Sequence, residues 1–235
     1  ASTKTILLVS PEKPDPDSVA SILAFREYLR WKASCLGRKF QCRLYAPDSL
    51  TENTLYELIK PLGDPAKLIK TNLPRSPVDC CVLFDYGDAT RTNTASLAAQ
   101  GTFFAGFDHH PKTAGFPAHG IEIIDEYAPS TTALLYRFFK HEGFPINADV
   151  ATCLLTGLAA DTGRFTNSLT NAEAFETAGA LIRCGARYED IASAMQPHTT
   201  LARFRAQLQA LPLIEIDEEN GYAFLWFSLK NRQEW

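Results

Sequence analysis

Short apolar runs alternating with helically spaced segments constrain this chain more than any other feature. Residues 5–9, 40–45, 80–84, 103–107 and 120–124 each read as a strand. Within residues 17–31 the apolar side chains Val19, Ile22, Leu23, Phe25 and Leu29 recur at helical spacing. Residues 51–59 read as a second helix, opened by a capping Thr51. Consecutive strands separated by helices pair in parallel through crossovers. The expected fold class is therefore α/β, with a five-stranded, mainly parallel sheet and helices on both faces. Such a sheet gathers its ligands outside the carboxyl ends of its strands.

The second half reads as a helical subregion. Residues 130–142, 148–160 and 171–183 have helical apolar spacing, with Ser130 and Thr131 suited to a helix start and Gly143 to its stop. A shorter helix is expected over 188–194 and a connecting helix over 200–211. Residues 213–216 and 222–227 flank Asp-Glu-Glu-Asn-Gly and read as a C-terminal β-hairpin. A two-stranded hairpin does not hold a core alone. It is expected to pack on the main domain or to open a second, truncated one. The expected division is 1–195, 196–212 and 213–235.

Hydrophobic residues make up 46% of the 235 positions and charged residues 21%, a composition of ordinary globular proteins. No run approaches the length of a membrane span, and residue 1 is Ala with no basic, apolar leader after it. A net charge of −4 argues against a grip on long duplex DNA, while leaving room for a short phosphorylated substrate. The six cysteines form no C-x-x-C pair, which favours reduced thiols in a cytoplasmic protein over disulfides or a zinc site.

Four acidic clusters follow apolar elements: Asp15 with Asp17, Asp85 with Asp88, Asp108 with His109 and His110, and Asp161. Three of them lie at strand ends. Each has an ordinary explanation taken singly: Asp17 and Asp88 as helix caps, Asp161 as a turn residue, His109 and His110 as hydrogen-bonded core histidines. Taken together they place several carboxylates where a parallel sheet converges, and converging carboxylates need cations or protons. Imidazole and carboxylate are ordinary ligands of divalent ions, so a polynuclear metal site is expected.

The segments PDPDSVAS (14–21), LFDYGDATR (83–91), FDHHPKTAGF (107–116), IIDEYAPSTTALLY (123–136) and GLAADTGRFTN (157–167) carry a resemblance. The chain resembles the DHH phosphoesterase superfamily, and within it the bacterial oligoribonuclease and 3′-phosphoadenosine-5′-phosphate phosphatase group related to RecJ exonucleases. The resemblance covers residues 4 to 195; the hairpin is similar to the start of the family's smaller substrate domain. It implies a manganese-dependent phosphoesterase, with magnesium as a substitute, that cleaves short nucleotides or oligonucleotides through a metal-activated water. Asp15 and Asp85 would hold the first ion, and Asp17, Asp85, His109 and Asp161 the second. His110 would contact the scissile phosphate, and Asp108 would orient the histidines. Arg91, Lys112 and Arg164 follow the motifs and would hold phosphate oxygens, with solvated surface charge as the alternative.

One departure from the family pattern is Pro11, which stands where the first motif carries a His. Proline offers no ligand atom, so one well-held ion and one weak or absent ion are expected. Two further readings follow: a weakened, nucleotide- or protein-binding module, and a pyrophosphate or polyphosphate hydrolase using the same ligands.

Overall fold

The computed structural model describes residues 3–113, 115–118, 120–196 and 201–226, with the side chain of Arg203 left aside. Its contacts divide the chain into two compact units, Ala1–Met195 and Gln196–Trp235.

The first unit contains six parallel strands: β1 (Lys4–Val9), β2 (Phe40–Tyr45), β3 (Ile69–Lys70), β4 (Cys80–Phe84), β5 (Phe103–Asp108) and β6 (Gly120–Ile124). They lie in the order β3-β2-β1-β4-β5-β6. The sheet thus has one strand more than the sequence pattern gave. β3 is two residues long, pairing Ile69 with Leu44 and Lys70 with Tyr45, which is too short to set up any periodicity. Chain progression reverses between β1 and β4, the topological switch where doubly wound sheets collect ligands.

The helices of this unit are α1 (Pro16–Cys35), α2 (Leu55–Ile59), α3 (Pro65–Leu68), α4 (Ala95–Ala98), α5 (Thr131–His141), α6 (Ala148–Asp161), α7 (Ala172–Arg183) and α8 (Tyr188–Ala194). Side chains alternate across a strand, so a strand buried on both faces is apolar throughout. Leu8, Val82, Phe84 and Phe107 face Ile22, Phe25, Leu135, Phe139 and Leu154 in the larger core. Leu7, Val9, Cys81, Leu83 and Phe104 face Tyr86 and Leu97 in a smaller core on the other side. Nearly all of α6 is buried, from Val150 to Ala159, as befits a helix that is apolar all round.

Helix starts follow local chemistry. Asp15, Ser130, Asn147 and Asn171 cap α1, α5, α6 and α7 through their side chains. The helix expected over 51–59 begins only at Leu55, and no threonine side chain caps it. Asn53 accepts a hydrogen bond from the Leu55 amide at 2.9 Å, turning the backbone first. Among the described residues no helix is long and apolar enough to cross a membrane.

The second unit contains α9 (Leu201–Ala210) and an antiparallel hairpin of β7 (Ile214–Asp217) and β8 (Tyr222–Leu225). Gly221 takes φ +74° in the turn, a value open to glycine at no steric cost, and its amide donates to the Asp217 carbonyl at 2.9 Å. The expected starts and ends at Thr200 and Phe227 lie outside the described residues.

Candidate metal centre

The centre is assembled from four separated stretches. The first enters at the start of α1. Asp15 caps the helix by accepting from the Ser18 amide at 2.9 Å, and Ser18 Oγ accepts from the Asp15 amide at 3.1 Å. Pro16 sits in the first turn, where its missing N–H costs nothing. Asp17 follows and is fully buried. Its carboxylate lies against the N-terminus of α5: Thr131 N donates at 2.8 Å, Thr132 N at 3.1 Å and Thr132 Oγ1 at 2.5 Å. Helix amides favour an anion there. Gly157 makes the approach possible, because a Cβ on it would lie 2.6 Å from Asp17 Oδ1.

Asp85 directly follows β4 with φ +53°, a left-handed backbone that costs a non-glycine residue about 1–2 kcal/mol. Its amide donates to the Phe107 carbonyl at 3.0 Å, and Thr131 Oγ1 donates to its Oδ1 at 3.2 Å. Asp108 ends β5, its Oδ2 accepting from Gly87 N at 2.8 Å and its Oδ1 lying 2.8 Å from His110 Nδ1.

His109 defines the centre. Its Nδ1 lies 3.2 Å from the Ala128 carbonyl, which can only accept, so Nδ1 carries a proton. Nε2 then faces Asp161 Oδ2 at 3.1 Å and Asp85 Oδ1 at 3.5 Å. A neutral ring would aim its lone pair at two carboxylates. Only a second proton or a cation between them resolves this. Burial opposes charging the ring, but the Asp161 and Asp85 carboxylates close to Nε2 raise His109 to about 11. Asp161 ends α6, where the helix dipole opposes an anion. Its Oδ2 is buried with no donor aimed at it in hydrogen-bond geometry, despite the nearby imidazole.

The other carboxylates show the same strain. Burial, then Asp161 and Asp85, raises Asp17 well above its ordinary value. Burial also raises Asp161, with Asp85 adding to it. Asp15 is exposed at the rim, so solvent tempers the effect, yet desolvation of its carboxyl and then Asp85 push it up to about 7. Burial acts to raise Asp85 too, but the His109 hydrogen bond and the imidazole charges outweigh it and hold Asp85 low.

One ligand atom each from Asp17, Asp85, His109 and Asp161 lies within 4.8 Å of the others, and Asp85, His109 and His110 form an overlapping group. Three carboxylates, one of them with an orphaned buried oxygen, and one imidazole fit a divalent ion. Asp15 feels the Asp85 charge but joins neither group.

Of the two histidines, Asp108 holds His110, while the Nδ1 of His109 turns to the Ala128 carbonyl. Lys112 pairs with Glu122 on β6 at 2.8 Å. Arg164 takes φ +64° and donates to the Met195 carbonyl at 3.2 Å. Of the three expected phosphate-holding cations, Arg91 shares the gap beside Gly87 with His110, and its Nε lies 3.6 Å from Glu12 Oε1. Asp88 is a cap, accepting from the Thr90 amide at 2.8 Å. Thr132 and Gly157 were not singled out from sequence as parts of the centre. A glycine inside an apolar helix was the available signal, since glycine weakens a helix unless close approach demands it.

This chain belongs to the DHH family: residues 5–158 match its N-terminal domain. It is 27% identical over 224 residues, 93% of this chain and 68% of the relative, to a Streptococcus equi subsp. equi protein named "Probable manganese-dependent inorganic pyrophosphatase". A Streptococcus agalactiae protein of the same name is 27% identical over 158 residues, 67% of this chain and 48% of the relative. The crystal structure of an exopolyphosphatase-related protein from Bacteroides fragilis superposes with a TM-score of 0.78 at 20% identity, covering 98% of this chain and 67% of that one, a likeness of fold.

Proposed function

We propose that this chain is a manganese-dependent hydrolase of phosphoanhydride bonds, with inorganic pyrophosphate or a short polyphosphate as substrate. The observation that carries the reading is the His109 Nε2 position between Asp85 and Asp161, which calls for a cation. The names of the relatives favour a phosphoanhydride over the nucleotide ester that the sequence motifs suggested.

Asp17, Asp85, His109 and Asp161 would hold one ion. Asp15 and Asp85 would be left with a second, weaker one, since Pro11 contributes no imidazole. Bound divalent ions polarise phosphoryl oxygens and lower the pKa of water. The protein's own groups supply the rest. Thr131 and Thr132 lock the Asp17 carboxylate in one orientation, as outer partners of metal ligands do. The hydrogen bond with Asp108, working against burial, raises His110 and favours a protonated ring. Its Nε2 then donates to an oxygen of the departing phosphate as charge grows there. Arg91 exchanges Glu12 for a phosphoryl oxygen. In this reading residues 1–195 are the catalytic domain, 196–212 the connector and 213–235 the opening of a substrate domain.

Manganese-dependent phosphate release should be faster from pyrophosphate or tripolyphosphate than from a short oligoribonucleotide or 3′-phosphoadenosine-5′-phosphate. Faster cleavage of either nucleotide substrate would return the ester reading to first place. Pro11 favours a second reading, a weakly catalytic binding module. Activity that emerges only in Pro11→His would support the module, and activity little changed by that substitution would support the hydrolase.

A further inference from the structure

Away from the metal centre, a cavity of about 550 Å³ concentrates positive charge. It opens along the outer edge of β2, where β3 reaches only Leu44 and Tyr45 and leaves Phe40 to Arg43 without an outer neighbour. Arg26, Arg30, Arg43 and Lys70 line it, with Phe40 and Leu68 as apolar walls.

The charges are not balanced locally. Arg26 is 4% exposed, and its Nε and Nη2 donate to Glu27 Oε1 at 3.2 and 3.0 Å. Its Nη2 also donates to the Leu62 carbonyl, which fixes the guanidinium in the wall. Arg30 Nη1 donates to the same Glu27 oxygen at 2.7 Å, so one carboxylate serves two guanidinium groups. Among the described residues, Arg43 and Lys70 pair with no carboxylate. A smaller cavity continues along α1 past Arg38 and Lys39. This grouping of cations stands out in a chain whose net charge is −4.

Guanidinium groups present forked donors matched to phosphate oxygens, and a concave wall excludes the water that would screen them. We propose that this notch is a second anion site, taking the phosphate chain of a polyphosphorylated molecule. Inorganic polyphosphate and a nucleoside polyphosphate share that chemistry, and the Phe40 ring on the wall is where a base would stack. The site does not draw on the metal centre, so it stands independently of the hydrolase reading.

The test uses the full chain freed of metal by EDTA, titrated calorimetrically with tripolyphosphate and separately with ADP. Saturable binding of at least one probe is expected in the wild type and in Asp85→Asn. Arg30→Gln/Arg43→Gln should weaken it by about tenfold or more, as loss of two charge-assisted contacts implies. Both arginines project into the open notch, and an unchanged thermal midpoint would show that the variant is folded. Tighter ADP binding that falls in Phe40→Ala would assign a nucleoside polyphosphate; tripolyphosphate binding indifferent to Phe40→Ala would assign the inorganic chain. Absence of saturable binding to the wild type overturns the proposal. So does undiminished binding by the folded double-arginine variant, or loss of binding in Asp85→Asn alone.

Discussion

Gly157→Ala is a one-carbon change that should disable the metal centre by crowding Asp17. The new Cβ would lie 2.6 Å from Asp17 Oδ1, 2.6 Å from Thr132 Cγ2 and 2.8 Å from Thr132 Oγ1. Ordinary contacts of this kind sit near 3.5 Å, so each partner must retreat by roughly 0.7–0.9 Å. Neither partner is a free end: three hydrogen bonds fix Asp17, and Thr132 lies in the first turn of α5. Alanine gains about 1 kcal/mol of helix propensity over glycine. Overpacking costs about 1–3 kcal/mol, and disturbing hydrogen bonds to a charged group adds about 1.5 kcal/mol or more. The steric side wins, for a net loss of about 2 kcal/mol. Manganese affinity should fall by about 10–100-fold, as when the outer support of a metal ligand is removed. Urea unfolding of the metal-free protein and manganese titration by electron paramagnetic resonance measure the two effects. Gly179→Ala in α7 is the control, since its Cβ meets only Arg183 Nη1, at 3.7 Å, and it should stabilise slightly. A Gly157→Ala protein as stable as the Gly179→Ala control, with normal manganese affinity, would refute the confinement of Asp17.

Asp85→Ala should abolish hydrolysis together with most manganese binding, because that carboxylate belongs to both ligand groups; metal analysis showing normal content would contradict this. His110→Ala should lower turnover by about 10²-fold or more while metal content holds, as expected for a lost proton donor, and parallel loss of metal would make His110 a ligand. Metal uptake should release protons and tighten as pH rises through 7, because Asp15 is raised to about 7 and Asp17 and Asp161 are raised as well; manganese Kd measured from pH 6 to 8 tests the sign. Glu142 accepts from Tyr28 Oη at 2.8 Å and Lys32 Nζ at 2.6 Å, and these partners hold its pKa low. Its contribution is therefore present above the ordinary glutamate range and lost as pH falls through the folded value. The stability gap between wild type and Glu142→Gln should accordingly narrow in acid melts.

The strands were legible because a parallel sheet buried on both faces needs unbroken apolar runs, and Cys80–Phe84 supplies one. β3 was not, since Ile69 and Lys70 owe their pairing to neighbours and not to a pattern. The acidic clusters pointed to one meeting place because strand ends converge there. What decides their chemistry was invisible: the Ala128 carbonyl that sets the His109 tautomer is a backbone atom 19 residues away. Lys112 and Arg164 looked available in sequence, and only folded neighbours, Glu122 and the Met195 carbonyl, engage them.

The candidate ligand group draws on Asp17, Asp85, His109 and Asp161, so the two halves of the first unit would both have to be in place before an ion is enclosed there. An unfolded chain has no comparable grip, and mass action then makes manganese a clasp on the tertiary structure as well as a reagent. Cells starved of the ion would lose such a protein twice over, first its chemistry and then its resistance to proteolysis.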